Sequence, residues 1–218
     1  MEIVIEIPAS YLAVLKLFAS KDDLRVFLRG VSMEIGPHET HLFASNGTRL
    51  VGFRVVSEQP DLVEPLRDII LPIDALPPVP AKGTVRITIG DLIDGGYSRG
   101  VTLQVLREDG LTKLGPATVS ETMDVSGVNL RRGLPERTSG EAAQFNSALF
   151  ADFVKAAKLL GCKPWLINIT HNRDRAALVT LSGREDFVGA LMPMSGDPPQ
   201  CPPAWAVSPL LARKRVAA

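Results

Sequence analysis

The sequence predicts an α+β protein with largely antiparallel sheets and its helices laid on one face. Three observations lead there. A strand, a helical stretch and three more strands recur in that order; apolar and polar residues alternate within the strands; and the turns are short enough for hairpins. Three such β-α-β-β-β units of about 65–75 residues each account for most of the chain.

The first unit opens with EIVIEI (2–7), which has the two-residue period of a half-buried strand. Pro8 stands where a helix begins, which its fixed φ favours. Leu12, Leu15, Phe18 and Ala19 then recur at helical spacing on one face. FLRGVSMEI (27–35), THLFAS (40–45) and TRLVGFRVV (48–56) read as strands. Between the last two, Asn46-Gly47 predicts a two-residue type I′ turn, with both central residues at positive φ.

In the second unit, RDIILPI (67–73) runs into a short helical stretch that Pro77, Pro78 and Pro80 cut off. TVRITIG (84–90), GVTLQVLR (100–107) and ATVSETM (117–123) are its strands. The third unit starts at AAQF (142–145); Asn146 caps the helix SALFADFVKAAKLL and Gly161 ends it. WLINIT (165–170), AALVTL (176–181) and FVGALMPM (187–194) follow as strands. A Gly-, Arg- and Ser-rich connector occupies 124–141, and a Pro-rich tail begins after Ser195.

Composition narrows the function classes. Apolar residues make up 45% of the 218 positions, enough for a real core, and 24 basic side chains balance 24 acidic ones. Two cysteines, Cys162 and Cys201, are too few for a disulfide framework and point to a reducing compartment, hence a cytoplasmic protein. The start lacks the basic and apolar regions of a signal peptide, and no stretch nears the roughly 20 apolar residues of a membrane span. No dinucleotide or P-loop motif is present. HETH (38–41) lacks the i,i+4 histidine spacing of a zinc helix and reads as a solvated loop. No catalytic constellation, cofactor site or metal site emerges.

Several motifs together resemble the bacterial DNA polymerase III β sliding clamp family. SKDDLRVFLRGVSMEI followed by FASNGTRLVG is similar to the strand and hairpin of that family's middle domain; VNLRRGLP (128–135) resembles its connector to the last domain; and FVGALMPM resembles its terminal Met-Pro-Met strand. The resemblance runs in order over 2–194 and implies a DNA-clamp fold. It divides the chain into a complete clamp-like domain (1–127), a connector (128–135), a half-domain or shortened second domain (136–195) and the tail (196–218).

The resemblance further implies a non-enzymatic replication processivity factor, or a truncated clamp-like interaction module. Its peptide-binding groove would be walled by Leu28, Ser45, Gly47, Thr48, Arg49 and Leu50, by Val128, Arg132 and Gly133, and by Ala190, Leu191, Met192, Pro193 and Met194. Read from the residues alone, Leu28, Leu50 and Leu191 are plain core. Thr48, Val128 and Ser195 depart from the family's histidine, proline and arginine. Implied partners are a DNA polymerase or other clamp-motif proteins and, non-specifically, double-stranded DNA. The DNA-facing side chains would be Lys16, Lys21, Lys155 and Lys158. Family rings have twelve such helices, so three units per chain imply a homo-oligomer of four, and a two-domain chain one of three. No membrane partner is implied. In the tail, Trp205, Leu210 and Leu211 are tethered close enough to lie in the chain's own groove or a neighbour's.

Overall fold

Alternation decides the first strand and what covers it. In β1 (Ile3–Pro8), Ile3, Ile5 and Ile7 are buried while the residues between them are exposed, and Pro8 caps α1 (Ala9–Phe18) directly. The computed structural model describes residues 2–196 other than 23, 81, 94, 95 and 97. The tail with Trp205, Leu210 and Leu211 therefore lies outside the described residues. The expected face of α1 is the buried one, with Leu12, Leu15, Phe18 and Ala19 all inside.

Two antiparallel sheets follow. The first is four-stranded, in the order β1, β6 (Thr84–Leu92), β7 (Arg99–Leu106), β8 (Thr118–Glu121). The second has seven strands. Its order is β5 (Leu66–Pro72), β2 (Gly30–Ile35), β3 (Glu39–Ser45), β4 (Arg49–Val56), β11 (Arg184–Leu191), β10 (Ala177–Leu181), β9 (Ile167–Thr170). The first and second units exchange their leading strands: β1 pairs with β6, and β5 with β2. The last strands of the first and third units, β4 and β11, pair across the join, with Leu50 opposite Ala190 and Arg49 opposite Leu191.

Three expectations are corrected. Residues 26–28 form a 3-10 turn rather than the start of the strand, so β2 begins at Gly30. The third unit has no leading strand: of residues 142–145, only Gln144 makes an isolated bridge, to Met194. The Asn46-Gly47 corner is not type I′, because only Gly47 takes positive φ, at 89°. Asn46 instead uses its carboxamide oxygen to accept from Thr48 N, Thr48 Oγ1 and Arg49 N at 3.1, 2.9 and 3.1 Å, which holds a wider bend.

The second unit's helix shrinks to a 3-10 turn at Ile73–Ala75, ahead of the prolines. α1 packs instead against α2 (Ser147–Leu159) of the third unit, where Phe18 and Phe153 meet edge-on with ring centroids 4.9 Å apart. Asn146 caps α2 as expected, accepting from Ala148 N at 2.9 Å, and Gly161 ends it at a φ of 71°. Phe153 sits directly on β11: a Cβ on Gly189 would lie 2.5 Å from its ring. One apolar core thus runs unbroken from the first two units into the third. Tyr11 of α1 braces the same join, donating to Asp186 and accepting from Arg184 Nη2 at 3.0 Å, while Arg184 pairs with Asp186 at 2.7 Å.

Candidate functional site

The seven-stranded sheet has a helix side and an outer side, and each carries a concavity. On the helix side, α1, α2 and the segments beside them surround a broad hollow of about 1330 Å³. Lys16, Lys21, Lys155 and Lys158, the four expected DNA-facing lysines, all contribute to its wall. Arg25 and Arg49 join them, against the carboxylates of Asp22 and Asp152, so the hollow carries a net of four positive charges. Helical spacing puts Lys155 and Lys158 there, since Phe153, Ala156 and Ala157 take the opposite face of α2 into the core. Arg25 was not among the expected DNA-facing residues, although it stands within the SKDDLRVFLRG stretch, just before the 3-10 turn at 26–28.

Arg49 is expected in the peptide groove, yet its side chain goes to the helix side. It pairs with Asp152 at 2.8 Å, donates to Leu17 O at 3.0 Å and lies over the Phe18 ring at 5.1 Å. Its Nε is buried without a hydrogen-bond partner. Burial pushes the guanidinium pKa down from its usual value, and the charge of Asp152 opposes that shift. Arg49 thus acts as a strut from β4 to α2. Asp152 also receives Lys155 Nζ at 2.9 Å, which leaves Lys158 the freer of the two α2 lysines.

On the outer side, the expected groove is a notch of about 60 Å³ beside the Asn46-Gly47 bend. Ser45, Gly47, Thr48, Arg49, Leu50, Gly133, Ala190 and Met192 come together around it. Met192 N donates to Thr48 O at 2.9 Å, so the terminal strand does fold back beside the hairpin. Beneath lies a second apolar cluster of Leu28, Phe43, Leu50, Leu130 and Ala190, against which Val128 and Leu134 pack. Such a notch admits about one small apolar side chain, whereas whole-ligand pockets run to several hundred Å³. Met192 is 44% exposed at the rim, where its flexible side chain can adapt to a contact.

The remaining expected groove residues lie elsewhere. Leu191 is fully buried in the main core, because the strand period sends it to the side opposite Ala190. Pro193 and Met194 do not line the notch. Arg132 faces a second, larger cleft of about 750 Å³ that shares Gly133 with the notch. The neighbouring Arg131 fixes its segment to β2 and β3. It donates to Glu34 at 2.5 Å and to His41 Nδ1 at 2.8 Å, and lies over the Phe43 ring. His41 Nε2 is 2.9 Å from Glu39, and His38 is 3.0 Å from Glu58. Among the described residues, no helix is long and apolar enough to cross a membrane.

No protein-family model matches the chain, and no curated protein matches it. Solved structures do. The DNA polymerase sliding clamp from Pseudomonas aeruginosa, solved with a ligand, superposes with a TM-score of 0.61 at 14% identity, over 88% of this chain and 66% of that one. The DNA polymerase III beta subunit from Thermotoga maritima gives 0.58 at 14% identity, over 89% and 66%. The sliding clamp from Bacillus subtilis gives 0.55 at 14% identity, over 89% and 65%. The chain therefore has the DNA-clamp fold, and spans about two-thirds of the length of the clamps it matches.

Proposed function

We propose that this protein is a sliding-clamp-like tether of DNA replication in the cytoplasm. It performs no chemistry: it holds double-stranded DNA against its helix side and docks a DNA polymerase or another clamp-motif protein at the notch on its outer side. The observation that carries this reading is the convergence of Lys16, Lys21, Lys155 and Lys158, with Arg25, on one hollow between α1 and α2. Long cationic side chains around a wide concavity suit phosphates held without base readout, which is what a sliding contact requires. The sheets end at β1 and β8 in one and at β5 and β9 in the other, and the outer edges of these four strands pair with no strand among the described residues. Open edges favour association of copies, and a homo-oligomer would be needed to encircle a duplex.

The test is retention on nicked circular plasmid during gel filtration, with release when the plasmid is linearised. The triple variant K16A/K155A/K158A should lose most retention and flatten the salt dependence by about 0.9 for each phosphate contact removed. A strict monomer that leaves the plasmid at low salt would sink the encircling reading. A second reading, an interaction module that binds clamp partners without enclosing DNA, draws on the 65–66% coverage of the solved clamps. It predicts a monomer that binds partner peptides and ignores the plasmid.

A further inference from the structure

The 750 Å³ cleft beside the notch is walled by Asn129 and the segment 131–137, and by the loop carrying Asn172, Arg175 and Ala176. It is a built feature. Asn172 is buried, and its side chain ties the two segments together: Nδ2 donates to Arg137 O at 3.3 Å and to Ala176 O at 3.1 Å, and Oδ1 accepts from Ser139 N at 3.0 Å. Gly140 N donates to His171 O and Arg173 N to Glu141 O, both at 3.0 Å. Arg173 is held in the left-handed region at a φ of 53°, an arrangement that a loosely placed loop would not sustain.

These loops present four arginines to the cleft against one carboxylate, Glu136. Arg131 is committed to Glu34 and His41. Arg132, Arg137 and Arg175 are exposed, and none has an ion pair among the described residues. Guanidinium groups match carboxylates two bonds at a time, so three unpaired ones around a single hollow form a receptor for acidic side chains. Leu134 lines this cleft and Gly133 lines both concavities, so the cleft continues from the notch along the same outer face. That face is turned away from the hollow between the helices, where a duplex would lie. The chain's own tail does not fit this cleft, since Arg213, Lys214 and Arg215 make its end basic.

We propose that the arginine cleft binds acidic residues flanking the apolar anchor of the partner segment that enters the notch. This rests on the notch being a docking site, and it adds what sets the partner's specificity. One partner segment would use both concavities, apolar at Gly133 and anionic beyond it.

The test uses the full chain and two fluorescent synthetic peptides with the same single Leu anchor. One is flanked on both sides by Asp and Glu, the other by Asn and Gln. The acidic peptide should bind about tenfold more tightly at low salt, and the advantage should shrink as salt screens the pairs. In R137E/R175E the acidic-to-neutral affinity ratio should fall to one or below. Equal binding of the two peptides to the unaltered protein would overturn the inference while leaving the notch in place. Failure of both peptides to bind would overturn the notch and the inference together. If R137E/R175E lowers affinity for a short DNA duplex as much as the helix-side lysine variant does, the cleft is a DNA contact and the inference falls.

Discussion

The two sides of the seven-stranded sheet share a backbone but offer different surfaces. On the helix side the hollow is about 1330 Å³ and ringed by cations; on the outer side the notch is about 60 Å³ and apolar, with an arginine cleft beside it. Thr48 and Arg49 belong to both concavities, so the contrast is not between distant parts of the molecule. It arises from what stands on each side. Two helices packed on each other through Phe18 and Phe153 leave a wide trough whose wall mixes apolar residues such as Leu17, Val79 and Leu159 with long charged side chains. A connector laid flat on the outer side fills most of the space with Leu130, Val128 and Leu134. A wide charged trough holds a smooth polyanion without selecting it. A small apolar notch admits a single anchor, so its selectivity has to come from beyond its rim.

The largest expected effect tests whether α2 is seated as a rigid wall of the trough. Phe153 is fully buried against Gly189 and Phe18, so Phe153→Ala should cost about 3–5 kcal/mol. Urea unfolding measures this, and a loss under about 1 kcal/mol would mean that the helix does not rest on β11. Next comes Gly133→Val, which separates the two sides. A Cβ at Gly133 already lies 3.2 Å from Leu50 Cδ1, so the larger side chain should fill the notch. Peptide affinity should fall about tenfold, roughly 1.4 kcal/mol, with plasmid retention intact. Loss of both activities together would show that the two sides are not separable.

The smallest effect concerns the brace that holds α1 to β11. The hydrogen bond from Arg184 holds the Asp186 carboxyl down at about 2, while burial and the bond to Asp186 push the Tyr11 hydroxyl up to about 12. A depressed carboxylate contributes stability above its unfolded value, near 4, and loses it as pH falls through 2. A raised tyrosine contributes fully below about 10 and loses it as pH rises through 12. With both groups only half-screened from water, the acid limb attributable to Asp186 should be about 1 kcal/mol. Comparing acid unfolding of Asp186→Asn with the unaltered protein checks it; identical curves would remove the brace from the account.

Much of the fold was legible because its signals are local. EIVIEI carried its own burial pattern, Asn146 and Gly161 marked the ends of α2, and the prolines after Ala75 stopped a helix where one was expected to be short. The bend at Asn46-Gly47 was legible in position but not in type, because three hydrogen bonds to one carboxamide outweighed the dipeptide's usual preference. Lys16, Lys155 and Lys158 were legible as the polar face of amphipathic helices, with Lys21 just after the first of them. Arg137, Arg175 and the Tyr11–Arg184–Asp186 brace were not, because nothing in their neighbouring residues distinguishes them from solvated surface.

The amino-acid order by itself determined the periods of the strands, the caps of the helices and the residues able to bend the chain, since each depends on neighbours within a turn or a hairpin. Only the tertiary structure decided that Leu50 faces Ala190 across some 140 intervening residues, that Leu191 turns inward, and that Arg49 leaves the notch for Asp152. A two-residue period states that neighbours point opposite ways. Which of them points at water is settled by what packs above and below, here Phe153 on one side and Leu130 on the other.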